Sequence, residues 1–199
     1  MRAARDCHEL LLRLAGRLPD ELLWRYRDWL AGGALDVLVR ALPRTLLHDR
    51  VGLTAHEHRL LTALSGEGAD PAMLAAVPVV AEAPAPDCVF GAEPPDGAGQ
   101  ADQTLVVLAA ALRGRPAVRE LRCGWRTGRD GAVRRVLLVT ATAAHAELAA
   151  ELQRVLRALG EHDPCVEVLP TDLLDLPDYH RAALATSELV GVGAAVVHA

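Results

Sequence analysis

The residues from Val118 to Pro170 constrain the fold more than any other stretch. Leu121, Cys123 and Trp125 recur at period two, with Glu120, Arg122 and Arg126 between them, as in a strand with one apolar and one polar face. Asp130-Gly131 supplies turn chemistry. Val136 to Val139 is apolar at every position, which predicts a second strand buried on both faces and central in its sheet. Leu148, Leu152, Val155, Leu156 and Leu159 then form one helical stripe, with Thr142 as cap and Gly160 as stop. Cys165 to Leu169 reads as a returning strand, and Pro177-Asp178-Tyr179 opens a short last helix. The stretch Thr104 to Leu112 reads as a helix before the first strand. Together these predict an α+β layer, mainly antiparallel in the order hairpin, helix, strand, with its helices on one face and the other face wet.

Residues 4 to 64 carry a different period. Leu10, Leu11, Leu14 and Leu18 make one apolar stripe at helical spacing. Pro19 with Asp20-Glu21 starts a second helix, whose apolar face is Leu22, Leu23, Tyr26, Trp29 and Leu30, and Gly32-Gly33 ends it. Leu35, Leu38, Val39 and Leu42 continue on a third, which Pro43 breaks or restarts. Thr54 and Glu57 have the spacing of a capping box for a fourth. These faces are buried only by folding against one another, so residues 1–64 are predicted to be a four-helix domain.

Between the halves the composition shifts to Gly, Pro, Ala and acids. Residues 65–102 are read as a linker, flexible at Pro94-Pro95-Asp96-Gly97. Val77 to Val80 and Cys88 to Phe90 within it are edge strands at most, because prolines flank them. Residues 103–199 complete the chain as the α+β domain.

Function classes fall away one at a time. All 21 basic residues are Arg, so a P-loop, which needs Lys, is excluded. No G-x-G-x-x-G follows a strand, and Gly191-Val192-Gly193 comes too late to open a nucleotide unit. His56 and His58 point about 200° apart on a helix and lack the i, i+4 spacing of a zinc motif. Cys7-His8 is an isolated pair at a terminus expected to fray. No G-x-S-x-G is present. His145, His162 and His180, with Asp163, Asp172, Asp175 and Asp178, form no recognisable triad, and His180 is expected on the surface. The chain is therefore read as a non-enzyme, with no cofactor and no metal.

Four Cys without C-x-x-C spacing, and no secretory or membrane-spanning run, place the chain in the cytoplasm with reduced thiols. The net charge is −5, which argues against a dedicated nucleic-acid binder. It is uneven, however: residues 1–59 hold 10 Arg and 8 acidic residues. Arg25, Arg27 and Trp29, with Arg40 and Arg44, are the candidate interaction residues of the helical half. Arg122 and Arg126 are the candidates on the polar face of the first strand. Interleaved Arg and aromatics also suit single-stranded nucleic acid.

The segments RPAVRELRC, RRVLLVTA and CVEVLPTDLL, in their order of helix, strand, turn, strand, helix, strand and short helix, resemble the C-terminal domain of the SseB family of actinobacteria and other bacteria. The resemblance covers about residues 103–190. It implies a small accessory or adaptor module, with no catalytic residues or cofactor to carry over. The expectation is a protein-interaction module that binds a protein partner or itself. The alternatives are an anion- or nucleic-acid-binding regulator, and an enzyme whose site local sequence does not reveal.

Overall fold

Leucine spacing in the first 64 residues produces α1 (Arg2–Arg13), α2 (Asp20–Ala31), α3 (Leu35–His48) and α4 (Ala55–Leu64). The computed structural model describes residues 2–64, 70–93, 103–163 and 166–192. It forms two compact units, Met1–Pro86 and Asp87–Ala199. The protein is a mixed α+β chain.

In the first unit Leu10, Leu11, Leu14, Leu38, Leu42, Leu46, Leu53 and Leu61 are all fully buried. Each contributes about 1.5–3 kcal/mol of transfer free energy, which is why so few aromatics suffice. The unit is more than four helices. Asp70 caps a short fifth, α5 (Pro71–Ala76), accepting from the amide of Ala72 at 2.9 Å. A two-residue parallel pairing joins β1 (Leu53–Thr54) to β2 (Val79–Val80). Residues 70–86, expected in a linker, therefore group with the helices.

Pro43 neither breaks nor restarts α3. The helix runs through it, with the ring buried. An interior proline removes its own N–H and crowds the carbonyl one turn back, at a cost of about 3 kcal/mol, and here burial of the apolar ring in the core offsets part of that cost. On α2 the buried positions are Leu23, Tyr26, Arg27 and Leu30, not the broader face expected from apolarity alone. These lie at i, i+3, i+4 and i+7, so geometry places Arg27 in the stripe whatever its charge.

The second unit is built on a five-stranded mixed sheet. Its strands are β3 (Cys88–Gly91), β4 (Val118–Gly128), β5 (Val133–Ala141), β6 (Val166–Pro170) and β7 (Glu188–Val192). The order is β3-β4-β5-β6, and β7 shares with β3 the edge of β4. The segment Cys88–Gly91 pairs with Gly128 to Trp125, and β7 with Glu120 to Cys123. Pairings of β4 are antiparallel, whereas β5 and β6 run parallel, Leu137 beside Val166 and Val139 beside Val168. The expected returning strand is thus a crossover partner, as α7 (His145–Ala158) carries the chain back to the starting end of β5. Val136, Leu137, Leu138 and Val139 are buried on both faces, as central-strand residues should be.

One face of the sheet packs Leu121, Cys123, Leu137, Val139, Val166 and Val168 against α7 and against α6 (Gln103–Leu112). The buried positions on α7 are Ala146, Leu148, Ala149, Ala150, Leu152, Gln153 and Leu156. Leu159, expected in that stripe, is 42% exposed. Small alanines let α7 lie close to the sheet, and the stripe follows them. Thr142 is not the helix cap: its Oγ1 and its amide both donate to the carbonyl of Ala117, at 3.3 and 2.8 Å. The N-cap position is Ala144, in the left-handed region at φ 58°.

The other face is not wet. Helix α8 (Asp178–Thr186) lies over it, so the sheet carries helices on both faces. A Cβ on Gly124 would stand 3.3 Å from Cβ of Ser187, so a side chain there would require Ser187 to give way by a few tenths of an ångström. Among the described residues no helix is long and apolar enough to cross a membrane. The stretch Pro94-Pro95-Asp96-Gly97, Cys165, Gly193 and the terminal residues 194–199 lie outside the described residues.

Candidate functional site

In the first unit, α2 and α3 separate the candidate residues by helical phase. Arg25 is exposed, Trp29 is half-buried, and Arg27 is 6% exposed. Tyr26 is also in the core, with its ring 5.6 Å from that of Trp29 and its hydroxyl 2.5 Å from Thr45 Oγ1 on α3. Burial pushes the Tyr26 phenol up, against the Thr45 hydrogen bond. The interleaved array of Arg and aromatics is therefore split between core and surface, and Arg27 is removed from the interaction set. Arg40 and Arg44 are exposed one turn apart on α3, and Arg40 donates to Asp36 at 2.8 Å. Such an exposed i, i+4 pair is worth only tenths of a kcal/mol, so it does not immobilise Arg40.

A buried ionic knot sits on the start of α4. Glu57 accepts the Thr54 amide at 2.8 Å, and the Glu57 amide donates to Thr54 Oγ1 at 3.3 Å, so the reciprocal capping box is formed. The same Glu57 accepts Arg17 Nη1 at 2.7 Å, with side-chain exposures of 3% and 6%. Arg17 Nη2 also donates to the carbonyl of Gly52. Nothing local points to this partner, because Arg17 and Glu57 are forty residues apart. His56 meets Glu9 at 2.8 Å, and Arg13 donates to the same Glu9 oxygen at 3.2 Å. Burial acts to raise the Glu9 carboxyl, but the His56 and Arg13 interactions outweigh it and hold it low.

The Cys7-His8 pair does not fray. Both are in the core at 0% and 6% exposure, and burial pushes the Cys7 thiol up to about 12. A thiol so far from ionisation is no nucleophile. Among the described residues no group of three or more His, Cys, Asp or Glu is placed to hold a metal ion.

In the second unit the two candidate arginines of β4 are engaged by α8 and the residue after it. Arg122 donates through Nε to Ser187 Oγ at 3.0 Å and through Nη2 to the Ser187 carbonyl at 2.8 Å. Arg126 Nη1 donates to the Tyr179 hydroxyl at 2.9 Å, and Phe90 meets the Tyr179 ring edge-on at 5.0 Å. Neither arginine is therefore presented to a partner. Their alternation with core residues read as a wet face because the polar groups covering them come from sixty-five and fifty-three residues away.

His180 is fully buried, not on the surface, and its Nε2 lies 2.9 Å from Glu167 Oε2 on β6. Its Nδ1 has no hydrogen-bond partner among the described residues. Glu167 escaped the sequence reading because it stands inside an apolar strand, and the expected acids Asp172, Asp175 and Asp178 were nearer in sequence. A pair closed off at 0% and 10% exposure fixes α8 to the sheet and is not positioned to meet a substrate. His162 and Asp163 are exposed, and His145 Nε2 lies 3.0 Å from the carbonyl of Ala141. The three histidines do not converge on one site.

A mixed α+β chain of two compact units is the class that the geometry defines. Comparison with protein-family models, curated proteins and solved structures gave no match.

Proposed function

We propose that the chain is a non-catalytic protein-interaction module of a bacterial cytoplasmic system, acting on a protein partner or on itself. In this reading the second unit is an accessory scaffold of the SseB C-terminal kind, and the first is a helical unit that presents the contact surface. The observation that supports it best is the sorting of the arginines. Arg25, Arg40 and Arg44 remain exposed on α2 and α3, whereas Arg17, Arg27, Arg122 and Arg126 are taken up by packing and pairing. The candidate acid–base groups are dispersed or buried, which favours binding over catalysis. Light scattering of the purified chain, together with recovery of a stoichiometric partner by affinity purification from its own cells, tests this reading. A strict monomer without such a partner overturns it.

The same three exposed arginines support a second reading, anion or nucleic-acid binding. Phosphate-driven affinity is greatest at low salt. A gel shift with single-stranded DNA and RNA at about 50 mM salt is therefore its test, and no retardation removes it.

A further inference from the structure

Three leucines crowd the loop between β6 and α8, and the structure treats them differently. Leu176 is buried at 5%, whereas Leu173 and Leu174 are exposed at 41% and 90%. Leu174 is the most exposed large apolar side chain among the described residues. It is not on a loose end. Pro170 terminates β6 before it, Leu176 is anchored after it, and the Leu174 amide donates to Asp172 Oδ1 at 3.2 Å. The projecting pair is bracketed by Asp172 and Asp175, and no arginine occurs from Val166 to His180. A held apolar knob with acids on both sides fits an apolar seat framed by cations.

The first unit carries a seat of that chemistry. On the outer face of α3, Val37 is 37% exposed, Ala41 is half-buried one turn on, and Arg40 and Arg44 flank them on the solvent side. Asp36 holds Arg40 only through an exposed pair, which an incoming carboxylate can exchange at little cost. Knob and seat are opposite in charge and alike in apolar content, and both belong to this chain.

We propose that the Asp172–Asp175 loop of one copy docks on the α3 face of a second copy, with Leu173 and Leu174 against Val37 and Ala41 and the acids against Arg40 and Arg44. The inference rests on the interaction-module reading and names its surface. Knob and seat are different patches, so the contact either occurs twice in a two-fold, isologous dimer or repeats head to tail, heterologously, in a longer assembly.

Sedimentation equilibrium of the full chain over about 1–500 μM reads the association constant directly. The wild type is expected to self-associate, and Leu174→Asp and Arg44→Glu should each weaken it by about tenfold or more. Both positions are exposed, so unchanged circular dichroism is expected. Combining Arg44→Glu with Asp175→Arg should restore affinity to within about threefold of wild type, since the charges are merely exchanged. Association that ignores Leu174→Asp overturns this surface while leaving the module reading in place. A wild type that stays monomeric throughout also overturns it, and the module reading then depends on the separate recovery of a different partner. If each single variant weakens association but the exchange does not rescue it, the Arg44–acid register is wrong and the proposal fails as stated.

Discussion

Replacing Glu57 with alanine should destabilise the first unit far more than its place at a helix start suggests. The side chain serves two partners at once: it caps the Thr54 amide and pairs with Arg17, both nearly excluded from solvent. Losing a helix-start hydrogen bond costs about 1 kcal/mol. Stranding the partner of a buried ion pair costs about 3–5 kcal/mol, and that term decides the outcome. The remaining bond from Arg17 to the Gly52 carbonyl offsets only part of it. Urea unfolding followed by Trp24 and Trp29 in a Trp125→Phe background reports the first unit alone. With a slope of about 1–2 kcal/mol per M, the midpoint should fall by about 2 M. The double variant Arg17→Met with Glu57→Leu should recover at least half of the loss, because two apolar side chains leave no unpaired charge. A drop below about 0.5 M for Glu57→Ala, or a double variant as weak as the two single losses added together, would refute the reasoning.

Other expectations follow from the same geometry. Cys7 and Cys123 are buried and should resist a thiol reagent in the native protein, while half-buried Cys88 reacts; mass-resolved labelling that finds Cys7 modified first would contradict this. Arg115 holds Glu151 through two hydrogen bonds, at 2.9 and 2.5 Å, and keeps its carboxyl below the ordinary range. The unfolded chain therefore binds that proton more readily, so the contribution is whole above the ordinary value and is lost as pH falls from there through the lowered, folded-state value. Glu151→Gln should flatten the acid limb of second-unit stability below about pH 5, read by Trp125 fluorescence; an unchanged slope would contradict it. Gly124→Ala should cost roughly 1–3 kcal/mol, because the new methyl meets Ser187 and the Gly91 carbonyl, at 3.3 and 3.4 Å. A neutral result in thermal unfolding would mean that α8 sits less tightly than drawn.

Legibility tracked how local the physics is. The β4 alternation, the apolar run of β5 and the turn between them depend on neighbours in sequence, and each could be read directly. So could the capping box, since Thr54 and Glu57 lie three residues apart. What failed was the assignment of polar residues to solvent. Arg27 obeys helical phase and not its charge. Arg17, Arg122 and His180 are covered because partners arrive from distant segments. A polar side chain in a sequence has one local appearance whether it faces water or a buried partner.

By itself the sequence determined the mixed α+β character, the positions of most helices and strands, and the absence of a P-loop motif, because these follow from periodicity and residue type. Only the tertiary structure decided that β6 runs parallel to β5, that α8 closes the second face, and which arginines remain exposed. Those outcomes depend on which segment covers which, and burial is a property of the covering segment as much as of the residue covered.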